Sequence, residues 1–195
     1  VTDSQAMREY YENEYKTKSC VIEYGANIPD PVSSIQENKI LSQFGLFKHR
    51  YILQITRFEP ENNPLLTIRA FLKLRPDLKL LIVGSVSKYS NYQNILELEA
   101  NKSDSILLPG SIYDRTILNV IWQNSLFYVH GNSVGGTNPA LLQAMAAGRP
   151  IAAIDCVFNR ETMGNQGFFF IKNVNSLSLV MKRIPETVAQ GERTY

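Results

Sequence analysis

Tyr128-Val-His-Gly-Asn-Ser-Val-Gly-Gly-Thr-Asn-Pro-Ala-Leu-Leu-Gln-Ala-Met-Ala-Ala-Gly-Arg-Pro-Ile151 packs a buried strand, a glycine turn, a proline-started helix, a glycine stop and a second strand into 24 residues. A strand running through Gly135-Gly136 onto a helix is a place to hold an anion, most often a phosphate. The N–H groups of the first helical turn and the helix dipole both favour negative charge there.

Working outward, the chain alternates short apolar runs with helical patterns. The runs are Cys20–Tyr24, Tyr51–Ile55, Leu78–Val83, Ser105–Leu108, Leu126–Val129, Ile151–Ile154 and Phe168–Ile171. Most are continuous rather than alternating, as parallel strands covered on both faces require. Helices are expected from Leu65 to Leu74 (opened by Asn63-Pro64), Tyr92 to Asn101, Tyr113 to Gln123, Asn138 to Ala147 and Leu177 to Ile184. In the fourth, Leu141, Leu142 and Met145 are the expected buried stripe. Strands and helices of these lengths predict an α/β fold: a Rossmann-like, doubly wound parallel sheet with helices on both faces. Residues 1–30 read differently. Met7, Tyr10, Tyr11 and Tyr15 recur at helical spacing before the run ending Tyr24-Gly25, and Ala26–Pro31 is a turn. Residues 1–30 are therefore expected to be the tail of a preceding domain plus a crossover linker. Residues 31–195 form the main domain, its C-terminal end open to truncation.

The 195 residues, 44% hydrophobic and 19% charged with net charge +2, describe an ordinary globular chain without a nucleic-acid signature. Lys48-His49-Arg50 and Lys182-Arg183 read as solvated surface, with contact to an acidic membrane face as the alternative. Two distant cysteines, Cys20 and Cys156, and two histidines leave a protein-built metal site unexpected. Free thiols in a reducing cytoplasm are the plain expectation. There is no apolar run of membrane-spanning length and no signal-peptide pattern at Val1. The chain does not begin with Met, as a piece of something longer would not.

In an open parallel sheet, ligands gather beyond the carboxyl ends of the strands. Thr56-Arg57, Gly84-Ser85, Gly110-Ser111 and His130 to Asn138 each follow an apolar run. In the glycine turn, Thr137 or Asn138 can cap the helix and Pro139 suits its first position. Gln143 lies one turn on, placed to meet hydroxyls of a ligand whose phosphates sit at the helix start. An ordinary tight turn with a surface glutamine is the other option. Arg57 can hold a diphosphate bidentately; a salt bridge to Glu59 or Glu61 competes equally. His130 reads as a satisfied histidine at the core edge. No Walker A, GxGxxG or Ser/His/Asp order can be assembled.

From Ser4 to about Met181 these landmarks resemble the C-terminal, donor-binding domain of two-domain (GT-B), retaining glycosyltransferases of family 4. The resemblance is carried by Val21-Ile-Glu-Tyr-Gly25, Ile55-Thr-Arg-Phe-Glu-Pro-Glu-Asn-Asn-Pro64, Leu81-Ile-Val-Gly84, Leu108-Pro-Gly-Ser-Ile112 and Ala144-Met-Ala-Ala-Gly-Arg-Pro-Ile151. His130-Gly-Asn-Ser-Val-Gly-Gly-Thr-Asn-Pro139 is similar to a bacterial, rhamnosyltransferase-like subset. The resemblance implies that Arg57 grips the donor diphosphate and is the catalytic residue, and that Ile112 meets the nucleobase through its backbone. It also implies that Ser133, Gly135, Gly136, Thr137 and Asn138 lie against diphosphate and sugar, and that Gln143 meets the ribose. Gly84 and Gly110 complete the implied donor site. Two glutamates usual in the family are replaced by Gly135 and Gln143, and a lysine by Asn62.

What the resemblance implies overall is metal-independent, cofactor-free transfer from a UDP-, dTDP- or GDP-sugar. The acceptor would be a glycan or lipid-linked, in cell-surface polysaccharide synthesis. The other implied partners are the protein's own N-terminal domain and, peripherally, the inner membrane, with a cytoplasmic location. Arg57 and the backbone N–H groups near Thr137 and Asn138 would stabilise the leaving diphosphate. A catalytically impaired binding module is the alternative, its argument the missing carboxylates and lysine; a nucleotide-sugar 2-epimerase-like enzyme ranks third.

Overall fold

The computed structural model describes residues 1–74, 76–85, 91–164 and 166–189. Helix α1 (Gln5–Tyr15) and α2 (Ser34–Gln43) precede strand β1 (Tyr51–Ile55); a 3₁₀ turn at Pro60–Asn62 then leads into α3 (Pro64–Leu74). Next come β2 (Lys79–Val83), α4 (Tyr92–Ala100), β3 (Ile106–Gly110), α5 (Arg115–Gln123) and β4 (Phe127–His130). The chain continues through α6 (Pro139–Ala146), β5 (Ile151–Ile154), α7 (Val157–Met163), β6 (Phe168–Phe170) and α8 (Val174–Ala189).

The six strands form one parallel sheet in the order β3-β2-β1-β4-β5-β6. Chain direction across the sheet reverses between β1 and β4, the point where α/β sheets open a crevice. Successive strand residues alternate faces. Ile52, Leu80, Ile82, Phe127 and Val129 face α3, α4 and α8, where Ile68, Phe71, Leu96, Leu177 and Met181 meet them. Tyr51, Leu53, Leu81, Val83 and Tyr128 face the other layer, against Leu41, Val120, Ile121, Trp122 and Leu141. This is the expected Rossmann-like, doubly wound α/β sheet.

Four details depart from the expectations. The run Cys20–Tyr24 forms no strand: its sole pairing is a bridge between Thr2 and Val21. Helices α2 and α7 carry too few apolar residues at regular spacing to announce themselves; α2 buries only Ile40 and Leu41. Helix α8 runs well beyond Leu177–Ile184 and continues through Pro185. In α6 the buried pair is Leu141 and Ala144, while Met145 is exposed. Leu141 and Ala144 belong to the same buried layer as Tyr128 and Ala153, so this edge of the helix, not the Leu142–Met145 edge, faces the sheet.

The N-terminal segment is fastened to this domain. The Glu161 carboxylate on α7 accepts the N–H groups of Gln5 and Ala6 at 2.5 and 2.9 Å, and Ser4 caps Met7. These bonds satisfy the orphan donors at the start of α1.

Candidate nucleotide-sugar site

The residue after each central strand is placed by backbone pairing rather than by side-chain packing. Thr56 N–H donates to Val83 O and Phe58 N–H to Ser85 O, so the chain leaving β1 crosses the end of β2. A methyl group built on Gly84 would overlap Thr56 O, so no other residue fits there without moving backbone.

A group of buried amides then ties the loop after β1 to the loop after β4. Asn62, 2% exposed, donates to Arg57 O at 3.0 Å and accepts from Asn132 Nδ2 at 2.7 Å. Asn63 donates to Glu61 O and to Gly131 O at 2.9 and 2.7 Å. Asn159 on α7 reaches Asn132 O at 3.0 Å, and Gln54 reaches Asn62 O at 3.2 Å. Buried amides with several partners hold loops rigidly, because breaking one bond strands a polar group away from water.

These loops enclose a cleft of about 420 Å³. Its walls are Thr56, Arg57 and Asn62 after β1, Gly84 and Ser85 after β2, Ser111 to Tyr113 after β3, and Asn132 with Asn138 to Ala140 after β4. Among the described residues, Arg57 is the one charged residue of that wall. It is exposed, and its guanidinium has no hydrogen bond or ion pair among the described residues. The competing salt bridge to Glu59 or Glu61 does not form. Ser111 Oγ donates to Ser85 Oγ at 2.9 Å, spanning the ends of β3 and β2.

The start of α6 differs from the expected cradle. Asn138, not Thr137, is the cap: its Oδ1 accepts from Ala140 N–H at 2.9 Å. Leu141 and Leu142 N–H both donate to Asn138 O, and Pro139 has no N–H. The first helical turn is thus already satisfied. The N–H groups of Gly135, Gly136, Thr137 and Asn138, just before it, have no partner among the described residues. Helix dipole and loop N–H groups together still favour an anion there.

Of the residues expected in the site, Arg57, Asn62, Gly84, Ile112 and Asn138 line this cleft. Gly110 is the last residue of β3, one step behind Ser111. Asn62 does not project toward a ligand, because its amide is spent on Arg57 O and Asn132. Ser133, Gly135, Gly136, Thr137 and Gln143 are not part of the cleft wall. Ser133 Oγ donates to Glu61 O at 3.3 Å and Thr137 Oγ1 to Asp3 O at 3.2 Å; Gln143 Nε2 donates to Asn27 O at 2.9 Å. Tyr113 and Ala140 were not anticipated; Tyr113, 88% exposed, was signalled only by following Ile112.

His130 closes β4 beneath this region. It is fully buried, and neither ring nitrogen has a partner among the described residues, so it is not the satisfied histidine expected. Burial alone pushes its pKa down to about 3, keeping the imidazole neutral. Its ring lies 6.0 Å from that of Tyr128, whose hydroxyl donates to Ile55 O. Among the described residues no group of three or more His, Cys, Asp or Glu is placed to hold a metal ion, and no helix is long and apolar enough to cross a membrane. Cys20 and Cys156 are free thiols.

The family model of the group 1 glycosyl transferases matches residues 37–187. The chain belongs to this family. As a group 1 glycosyltransferase domain it is similar to a glycosyltransferase from Rickettsia africae ESF-5, with TM-score 0.86 and 19% identity over 95% of this chain and 52% of the other. It is also similar to Anabaena Alr3699/HepE in complex with UDP and glucose, with TM-score 0.82 and 16% identity over 99% and 54%. Sucrose-phosphate synthase from Thermosynechococcus elongatus gives TM-score 0.77 and 20% identity over 100% and 50%. This glycosyltransferase domain therefore spans about half the length of these solved structures. No protein of curated function matches it.

Proposed function

We propose that this domain binds a nucleotide-diphosphate sugar in the cleft beside Arg57. With a preceding domain to which residues 1–30 belong, it would transfer the sugar, with retention, to a glycan or lipid-linked acceptor. The observation that carries the reading is the cleft itself. One free guanidinium, unpaired loop N–H groups and a capped helix start supply positive potential, and hydroxyls and amides supply neutral contacts. That combination suits a diphosphate joined to polyols, and Alr3699/HepE binds UDP and glucose on the same fold. The leaving diphosphate would be stabilised by Arg57 and the loop N–H groups without a metal ion. The finer assignments are part of the same proposal: family 4, a rhamnosyltransferase-like activity, cell-surface polysaccharide synthesis, and a cytoplasmic site at the inner face of the membrane. The base is uracil, thymine or guanine.

Calorimetry on the full-length protein with UDP, dTDP, GDP and their sugars tests it. One of the three should bind, and Arg57→Ala should lower that affinity more than tenfold, about 1.4 kcal/mol, without changing the melting temperature. Equal affinity in wild type and variant would remove Arg57 from the site.

A second reading, a glycosyltransferase-like module without turnover, draws on Asn62 and Gln143, whose amides are committed to protein carbonyls. Its signature is donor binding with no sugar released or transferred across a panel of nucleotide sugars and acceptors.

A further inference from the structure

The wall of the cleft changes character along its length. The sheet order places β1 and β3 on either side of β2. Neighbouring strands lie about 4.8 Å apart, so the loops leaving β1 and β3 meet the cleft about 10 Å from each other. The β1 side presents the Arg57 guanidinium. The β3 side, Ser111 to Tyr113, carries no charge and presents a phenol ring, the one aromatic ring of the wall among the described residues. The chain on that side is fixed at both ends. Gly84 N–H donates to Gly110 O at 3.0 Å and Ser111 Oγ to Ser85 Oγ at 2.9 Å. Three residues on, Asp114 Oδ1 accepts the N–H of Ile117 at 3.0 Å and caps the start of α5.

Between these two fixed points, neighbouring residues divide the work. The Ile112 side chain packs on the core layer that holds Tyr128, Val120 and Leu141. Its backbone N–H and C=O have no partner among the described residues. Tyr113 belongs to neither core layer and is 88% exposed, so folding makes no use of its ring. The face of a phenol ring is its least polar surface, and covering it with another flat ring gains burial and stacking together. A nucleotide-diphosphate sugar has one flat, unsaturated ring, the base. Its ribose and hexose are saturated rings studded with hydroxyls, and the rest is anionic. Every base has a π-face that an aromatic side chain can support.

We infer that Tyr113 is the stacking platform for the nucleobase of the donor: its ring covers the face of the base, beside the free N–H and C=O of Ile112, while Arg57 holds the diphosphate. This rests on the donor reading above. Ring and guanidinium stand about 10 Å apart along the strand ends, a distance that a ribose and its phosphate ester span. Together they set the ligand's direction in the cleft, with the base at β3, the diphosphate at β1 and the sugar beyond it toward β4 and α6.

The test is calorimetry on the full-length protein with UDP and UDP-glucose, dTDP and dTDP-rhamnose, and GDP and GDP-mannose. Tyr113→Ala removes the ring, Tyr113→Leu keeps apolar bulk without a π-face, and Tyr113→Phe keeps the ring and drops the hydroxyl. For the pair that the wild type binds, Ala and Leu should each weaken free diphosphate and conjugate alike by about tenfold, and Phe should stay within about twofold. Melting temperatures should not move, because the ring lies outside the core. Full affinity in Tyr113→Ala or Tyr113→Leu, or a loss in Tyr113→Phe as large as in Tyr113→Ala, would overturn the stacking role. A loss confined to the conjugates would put the sugar, not the base, on the ring and overturn it too. In each of these cases the donor site stands, reported by Arg57→Ala. If the wild-type protein binds no diphosphate and no conjugate, the donor reading and the role of Tyr113 fall together.

Discussion

The loop after β1 and the loop after β4 reach the same cleft from adjacent strands, but they are held in opposite ways. The first, Thr56 to Asn63, is knitted internally: Asn62 bonds to Arg57 O, Asn63 to Glu61 O, and a 3₁₀ turn shortens it. The second is rigid only where it touches the first. Gly131 and Asn132 are pinned by Asn62, Asn63 and Asn159. From Val134 to Thr137 it is held by a single side-chain bond, to Asp3 O. Rigid backbone presents the cation; compliant backbone, shaped by the N-terminal segment, presents the free N–H groups. Positioning and adaptation are thus assigned to different halves of one site.

Two glycines in the second loop offer the strongest way to break that contrast. Gly131 is buried, and a methyl group there would overlap Asn62 O. Gly135 has φ of +87° but open space around it. Gly131→Ala should cost about 3 kcal/mol through forced backbone movement, and Gly135→Ala about 1 kcal/mol through the disfavoured φ alone. Urea denaturation measures both; equal losses would mean that the two halves are equally rigid.

Asn63→Ala comes next. It strands the buried Gly131 carbonyl and removes a second, part-buried bond to Glu61 O, and should lower stability by about 2 kcal/mol, visible as a shifted denaturation midpoint at constant slope. A smaller loss than that of Ser133→Ala would reverse the assignment of rigidity.

His130, where β4 hands over to the second loop, gives a pH-dependent test. Its folded pKa of about 3 lies below the usual histidine value, so between those two the unfolded chain binds the extra proton. Stability contributed by the neutral ring is complete above the unfolded pKa and falls as pH drops through this window, by at most about 1.4 kcal/mol per pH unit. His130→Leu should flatten that slope and, by removing two unpaired buried nitrogens, raise stability at pH 7 by about 1 kcal/mol. Thermal melts at pH 7, 6 and 5 decide it; an unchanged slope would mean that the ring is not held neutral.

Ser133→Ala should have the smallest effect. Its hydroxyl bond to Glu61 O is solvent-exposed, so about 0.5 kcal/mol or less is at stake.

The six strands of the sheet were legible because each is a continuous apolar run, and a strand buried on both faces leaves that trace. Cys20–Tyr24 carries a similar trace yet pairs only at Val21, since an apolar run shows burial preference without naming a partner strand. Arg57 was legible as a cation at a strand end. What was not legible was the commitment of side chains. Asn62 and Gln143 look available in sequence, whereas tertiary carbonyls at Arg57 and Asn27 have claimed them. The contact of Asp3 with Thr137 gave no signal, because no spacing rule relates residue 3 to residue 137; the meeting exists only once α1 is docked on α7.

Trp122 carries a consequence for anyone handling the protein. It is the chain's one tryptophan, 4% exposed and with its ring 4.7 Å from that of Tyr128. It sits seven residues along α5 from Arg115, roughly 10 Å down the helix axis from the end nearest the cleft. Its ultraviolet emission will therefore report the collapse or opening of the packed layers. A nucleotide settling beside Arg57 would meet the cleft wall and not the indole, so unfolding is the event that light reports most directly, and occupancy is better read by heat or by a labelled ligand.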